Sequence, residues 1–309
     1  MLLLTNLLDF WITNFKGELA AVSAAFLWAM GAVVWSRVGQ RIPPLELNLI
    51  KGGIAIALLI LTLLLQGQLL PDINPTALLL LMLSGVVGIG FGDTAYFSAL
   101  NCLGARKTLL IETLAPPLTA VLALIFLQEQ LTSGAWCGIL LTILGVAWVI
   151  TERTPGSTGD TTHQLRGIGW ALLAAAGQAI GAVLSRAALT QSSISSLWST
   201  LVRLSAGEVI LLLLILLGRR QVSNLLKPLQ SWKLLGAIAI TAFASTYLGI
   251  WLQQTSLKFA PAGIAQTLSA TSPLFVLPIA LWMGEKIGFR AILGVFVTLG
   301  GVALLFSWR

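Results

Sequence analysis

Long apolar stretches, separated by short breaks that are polar or contain proline and glycine, run along almost the whole chain. A helix needs about 20 apolar residues to cross the hydrocarbon core of a bilayer, so each stretch of this length predicts one membrane span. The predicted spans cover residues 17–36, 45–66, 76–100, 105–127, 134–150, 167–187, 195–217, 232–256, 262–283 and 288–306. The predicted fold class is therefore an all-α polytopic membrane protein with ten transmembrane helices.

The segment before the first span, residues 1–16, is also apolar, but it is too short to cross a bilayer. It lacks the basic start of a signal peptide. We expect an interfacial helix there, and an eleventh, partial insertion is the alternative.

One sustained polar stretch, residues 151–166, links two halves of similar length, 17–150 and 167–309. The halves repeat at an offset of 156 residues. The coinciding pairs are Thr113/Ser269, Pro117/Pro273, Glu129/Glu285, Gly138/Gly294, Thr142/Thr298 and Gly145/Gly301. Five spans per half is an odd number, so the second half enters the membrane upside down. This 5+5 inverted repeat favours transport, because two similar folds in opposite orientation exchange shapes to open the protein on either side.

Composition supports a membrane protein, since 57% of the residues are hydrophobic and only 9% are charged, against about 25% in soluble domains. A net charge of +7 is expected of basic loops at a lipid surface, and basic clusters with interleaved aromatics are missing, so nucleic acid is not an expected partner. The expected partners are the lipid bilayer and a small-molecule substrate, with the chain a monomer or homodimer. The cysteines Cys102 and Cys137 and the single His163 lie apart, which predicts no metal site and no cofactor.

The distribution of basic residues predicts the orientation. Twelve of the 18 Lys and Arg residues lie at the ends of the odd-numbered loops, four lie on the opposite side, and two lie within spans. The positive-inside rule then places both termini on the non-cytoplasmic side of the cell membrane.

Several short motifs resemble a known repeat. The first half has Trp28-Ala29-Met30-Gly31, Pro117, Gln128-Glu129-Gln130-Leu131, Gly138 and Gly145, and the second half has Pro273, Gly284-Glu285-Lys286, Gly294 and Gly301. The chain resembles, over nearly its whole length, a ten-helix member of the drug/metabolite transporter superfamily with two EamA repeats. This resemblance implies an exporter of amino acids, metabolites or drugs, and no enzyme. It also implies a structural role for Trp28, Gly31, Glu129, Glu285, Gly138, Gly145, Gly294 and Gly301. The small four-helix members carry a coupling glutamate in the middle of the first span, whereas Glu18 lies only at its mouth.

Five ionisable residues lie within the spans, where a charge is costly and usually faces a cavity or a partner. Lys51, Asp93 and Glu112 each lie roughly 10 Å from the ends of three consecutive spans that open on one side of the membrane. This arrangement predicts either a polar site with a proton-coupling carboxylate, or a structural contact between lysine and carboxylate. Arg203 and Glu208 lie about 140° apart around one helix and do not pair. We assign Arg203 a structural role and keep Glu208 as a secondary candidate.

Prolines predict helix breaks in the fourth and ninth spans, at Pro116, Pro117, Pro273 and Pro278. Broken helices that face each other near the midplane bind ligands in transporters of this design. The breaks are therefore candidates for gating, and Thr113 and Ser269 supply matched hydroxyls beside them. The candidate substrate- or proton-binding residues are Asp93, Glu112, Lys51, Tyr96, Thr113, Ser269, Gln266 and Glu208.

Two other classes compete with a transporter. The string Gly90-Phe91-Gly92-Asp93 matches the GxGD motif of intramembrane aspartyl proteases, but that chemistry needs two carboxylates sharing a proton, and Glu112 is the other carboxylate offered here. A non-transporting structural protein would leave the charges within the spans unexplained. The sequence thus favours a secondary transporter, an exporter of a small metabolite such as an amino acid, that works by alternating access with proton coupling or exchange.

Overall fold

The computed structural model describes residues 15–67, 74–128, 133–150, 161–217, 231–282 and 288–307. These residues are helical almost throughout, and none of them forms a strand. Most of the predicted interfacial segment and of the polar linker, together with Glu129 and Glu285, lie outside the described residues.

The helices follow one another with short connections. The first half contains α1 (Lys16–Val38), α2 (Pro44–Leu65), α3 (Pro75–Ser84), the π-helix π1 (Gly85–Asp93), α4 (Thr94–Glu112), α5 (Ala115–Phe126) and α6 (Ser133–Ile150). The second half contains α7 (Thr161–Thr190), α8 (Ser196–Leu217), α9 (Trp232–Thr241), the π-helix π2 (Ala242–Leu248), α10 (Gly249–Phe259), α11 (Ala262–Ser269), α12 (Ser272–Trp282) and α13 (Phe289–Ser307).

Seven helical segments of the described chain are long and apolar enough to cross a membrane. They are Lys16–Val38, Pro44–Leu65, Pro75–Glu112, Thr162–Thr190, Ser196–Leu217, Trp232–Phe259 and Ala262–Ile279. The protein is therefore a helical polytopic membrane protein, and the number of ten spans stays a prediction.

A sharp turn at Gly104 divides the longest of these segments. Its backbone adopts φ 75° and ψ 172°, a region open essentially to glycine alone. A straight helix from Pro75 to Glu112 would be about 57 Å long, far more than the roughly 30 Å of hydrocarbon. The turn lies between the predicted spans 76–100 and 105–127, where the sequence pattern predicts a connection.

The predicted breaks occur at corresponding places in the two halves. Helix α4 ends at Glu112 and α5 begins at Ala115, while α11 ends at Ser269 and α12 begins at Ser272. Pro116 and Pro273 lie in the first turn after each break, where a proline costs no hydrogen bond. Pro278 differs from the prediction, because it lies inside α12, which continues through it.

Candidate functional site

A polar cavity lies where the two helix breaks meet, and its walls come from both halves of the chain. Its volume is about 100 Å³, which is room for several water molecules at roughly 10–15 Å³ each. The charged residues in its wall are Lys51, Asp93, Glu112 and Arg203. The cavity thus combines charges of both signs inside a membrane protein, where isolated charges are avoided.

Lys51 and Asp93 form an ion pair across this cavity. The Lys51 Nζ donates to Asp93 Oδ2 at 2.6 Å, with the lysine 3% and the aspartate 27% exposed. Asn48, one turn earlier on α2, donates to the carbonyl oxygen of Ile89 at 2.9 Å and to Thr94 Oγ1 at 3.0 Å. These hydrogen bonds fix α2 against π1 and so place the lysine beside the aspartate.

Glu112 and Tyr96 share this cavity with the ion pair, as the sequence predicts. Glu112 is the last residue of α4 and is half-buried, and among the described residues its carboxylate has no hydrogen-bond or ion-pair partner. It lies close enough to Asp93 for the two carboxylates to interact electrostatically. Tyr96 interacts electrostatically with both carboxylates. The cavity therefore holds one neutralised carboxylate and one that is free for a cation or a proton.

Arg203 also lines the cavity, which differs from the structural role predicted for it. It is 2% exposed, and its Nη1 donates to Gln253 Oε1 at a long 3.5 Å. Its position could have been inferred from symmetry, since Lys51 is seven residues after the start of α2 and Arg203 is seven after the start of α8.

The remaining candidates beside the breaks differ in their orientation. Ser269 and Gln266 line the cavity, and both keep a buried polar atom without a hydrogen-bond partner in the described chain. Thr113 is fully buried and donates to the carbonyl oxygen of Leu110 at 2.6 Å instead of facing the cavity. Of the prolines, Pro116 and Pro273 line the cavity, whereas Pro117 is buried outside it.

Glu208 lies behind the cavity wall. It is 6% exposed, and neither carboxylate oxygen has a hydrogen-bond partner among the residues that the structure describes. One oxygen packs so closely on Gly52 that a β-carbon there would overlap with it. Glu208 is within electrostatic range of Lys51 and Asp93. It is therefore a neighbour of the ion pair but not part of the cavity wall.

Two tryptophans of α1 complete the wall. Trp28 Nε1 donates to the Ser245 carbonyl oxygen at 2.9 Å, and Trp35 Nε1 donates to Ser245 Oγ at 3.0 Å. Gly31 lies between them, and a side chain at this position would overlap with Ser245. A tryptophan near the end of a predicted span is typical of an interfacial belt, but Trp35 is 3% exposed and lines the cavity. The seven-residue spacing of the two tryptophans places them on one helix face and was the available signal.

The fold and the cavity define a polytopic helical membrane protein with a charged central cavity. The model of the EamA-like transporter family matches the chain twice, over residues 15–151 and 165–307. The chain therefore belongs to the EamA-like transporter family, and the resemblance inferred from its motifs is confirmed.

Two further comparisons agree with this family. The chain is 28% identical over 226 residues to the "Uncharacterized transporter YyaM" of Bacillus subtilis (strain 168), covering 71% of this chain and 70% of that protein. A crystal structure of another protein superposes with a TM-score of 0.70 at 18% identity, covering 94% of this chain and 96% of that one. At such an identity the likeness shows the fold alone.

Proposed function

We propose that the protein is a secondary transporter that exports a small metabolite, such as an amino acid or a related compound, by alternating access. The observation that carries this proposal is the cavity between the two helix breaks, with Lys51, Asp93, Glu112 and Arg203 in its wall. Membership of a transporter family supports transport, and the direction of export rests on the resemblance to exporters.

The proposed architecture is ten spans in a 5+5 inverted repeat. Its support is a reciprocal contact between α6 and α13. Gly145 packs on Thr298, and Gly301 packs on Thr142. These four residues form two of the pairs that coincide at an offset of 156. In each contact, the glycine of one half packs on the threonine of the other half. Reciprocal contacts of this kind are the mark of a two-fold relation between two units, here between the repeats.

The cavity chemistry favours a small polar substrate and proton coupling. An amino acid carries both signs of charge, as the cavity wall does, and four aromatic side chains, Trp28, Trp35, Tyr96 and Phe97, supply an apolar surface. Glu112 has a carboxylate that faces the cavity without a partner, and we assign it the coupling proton. We place the protein in the cell membrane, with both termini outside the cytoplasm, as a monomer or homodimer.

The protease alternative is disfavoured. Its dyad requires two carboxylates that share one proton. Here the GxGD aspartate, Asp93, contacts the ammonium group of Lys51 instead of a second carboxylate. The homologues are transporters, and we propose that this chain is not an enzyme.

Counterflow in proteoliposomes tests the transporter. Liposomes loaded with a pool of unlabelled amino acids, purines, sugars or cationic drugs are diluted into the labelled compounds, with wild type and Glu112→Gln. The matched control is Glu18→Gln, the same chemical change at the mouth of α1 and outside the cavity wall. We expect exchange of at least one pool by wild type and by Glu18→Gln, and, when a pH gradient is imposed across the same liposomes, a loss of proton-driven uptake with Glu112→Gln. Folded protein that exchanges none of the pools would contradict the proposal.

A further inference from the structure

The two basic residues of the cavity occupy matching places in the repeats but have different surroundings. Lys51 has Asp93 as its counter-ion at 2.6 Å. Lys51 and Arg203 are 152 residues apart and match by their place in α2 and α8, whereas the later parts of the halves match at an offset of 156, where Asp93 corresponds to Gly249, which has no side chain. The second half therefore has a cation at the matching place but no carboxylate at the place of Asp93, and Asp93 itself, although within electrostatic range of Arg203, forms its ion pair with Lys51.

Most N–H donors of the Arg203 guanidinium group have no hydrogen-bond partner among the described residues. A guanidinium group has five N–H donors, yet in the described chain this one makes a single hydrogen bond, the 3.5 Å contact to Gln253, and its buried Nε has no partner. None of the described carboxylates lies within ion-pair distance of it. Its Nη2 lies against Gly88 and Gly181, so two glycines make room for the group. A buried charge of this kind is costly unless an ion of opposite sign joins it.

The cavity wall offers further donors for an anion. The side-chain amide nitrogens of Gln253 and Gln266 and the hydroxyl group of Ser269 are buried without partners among the residues described. All three residues line the same cavity as Arg203.

We propose that Arg203 binds an anionic group of the substrate, a carboxylate or a phosphate. This group would neutralise Arg203 as Asp93 neutralises Lys51. This inference rests on the proposed function and names the substrate class: a compound with at least one anionic group. A carboxylate or a phosphate accepts two parallel hydrogen bonds from a planar guanidinium group. The ammonium group of a lysine does not offer this pair of donors. Arg203 is then a specificity-determining residue.

The experiment measures thermal stabilisation of the purified full-length protein in detergent by matched pairs of probes. The pairs are L-leucine with L-leucinamide, succinate with succinamide, and glycerol 3-phosphate with glycerol, so that carboxylate and phosphate are distinguished. The variants are Arg203→Gln and Arg203→Lys. The control is Arg290→Gln, the same change at an exposed residue of α13 outside the cavity wall.

We expect at least one probe that carries the anionic group to stabilise wild type and Arg290→Gln, while its partner without that group does not. Arg203→Gln should weaken the apparent affinity for that probe at least tenfold, and Arg203→Lys should weaken it less. Without a probe, Arg203→Gln should be as stable as wild type or more stable, because it removes a buried charge that has no ion-pair contact among the described residues. A structural arginine would instead lower this stability when replaced.

Three results would overturn the anion site: equal stabilisation by the partners that lack the anionic group, an unchanged response of Arg203→Gln, or no response of wild type to any probe that carries the anionic group. The transporter proposal is judged separately by counterflow. Counterflow of a compound without an anionic group would keep the transporter and overturn the anion site. Stabilisation that depends on Arg203, in protein without counterflow, would keep the site and overturn the transporter.

Discussion

The ion pair between Lys51 and Asp93 is a quantitative test of the cavity. Replacing Asp93 with Asn removes the carboxylate charge and leaves Lys51, which is 3% exposed, without its partner. Replacing Lys51 with Met leaves Asp93, which is 27% exposed and faces the cavity. The two residual charges therefore differ in their access to water, and the two substitutions should differ in cost.

The magnitude follows from the separation of the charges. At 2.6 Å and an effective dielectric constant of about 20, the attraction is about 6 kcal/mol before the loss of hydration is subtracted. Removal of one partner of a buried pair costs about 3–5 kcal/mol. We expect about 3–5 kcal/mol for Asp93→Asn and about 1–3 kcal/mol for Lys51→Met, since cavity water screens the aspartate. The double variant should cost less than the sum of the single variants by about 2–4 kcal/mol.

Glu208 affects this comparison of single and double variants, and it also provides a further test. Its carboxylate is the second one within electrostatic range of Lys51, so it can partly neutralise the lysine after Asp93→Asn. In a Glu208→Gln background the cost of Asp93→Asn should therefore rise.

The assay is unfolding of the purified protein in mixed micelles, followed by the fluorescence of its 11 tryptophans. Additive single substitutions in the Glu208→Gln background, with a coupling below about 0.5 kcal/mol, would refute the argument that the pair is a buried, mutually dependent unit. A larger loss from Lys51→Met than from Asp93→Asn would refute the argument from exposure.

Three further substitutions have expected outcomes in the same unfolding assay. Gly85→Ala should destabilise by about 1–3 kcal/mol, because its β-carbon meets the backbone of α8 within 2.8 Å. Gly236→Ala is its control, since open space surrounds that position, and a gain of about 0.5–1 kcal/mol is expected in the interior of a helix. Gly104→Ala should cost about 1–3 kcal/mol through its φ of 75°. Trp35→Phe should lose about 1 kcal/mol with the hydrogen bond to Ser245; a neutral result would show that this bond does not hold α1 to π2.

The depth of most of the site residues in the membrane was predictable from the sequence. Lys51, Asp93 and Glu112 are at similar distances from the ends of consecutive spans, and the structure brings all three into one cavity. The breaks before Pro116 and Pro273 were also predictable, because proline lacks a backbone donor and is favoured in the first turn of a helix, although α12 continues through Pro278.

The orientation of a side chain around its helix was not predictable for several residues. Arg203 and Glu208 lie on different faces of α8, so only one of them can face the cavity; the sequence favoured Glu208 as the binding candidate, whereas Arg203 lines the cavity. Thr113 and Ser269 correspond in the repeats, yet Ser269 lines the cavity and Thr113 bonds to its own helix. Trp35 is a residue type that is typical of the membrane interface, but it lies in the cavity wall.

The sequence alone determined the membrane class, the helical segments, the duplication and the family, because the hydrocarbon core fixes how many apolar residues a crossing helix needs. Hydrophobicity reports on position along the helix axis. It says little about rotation around that axis when a helix is apolar on every side, as α2 and α8 largely are. That rotation depends on close contacts such as Gly85 on the backbone of Arg203 and Gly52 on Glu208. Only the tertiary structure therefore decided which charges meet in the cavity.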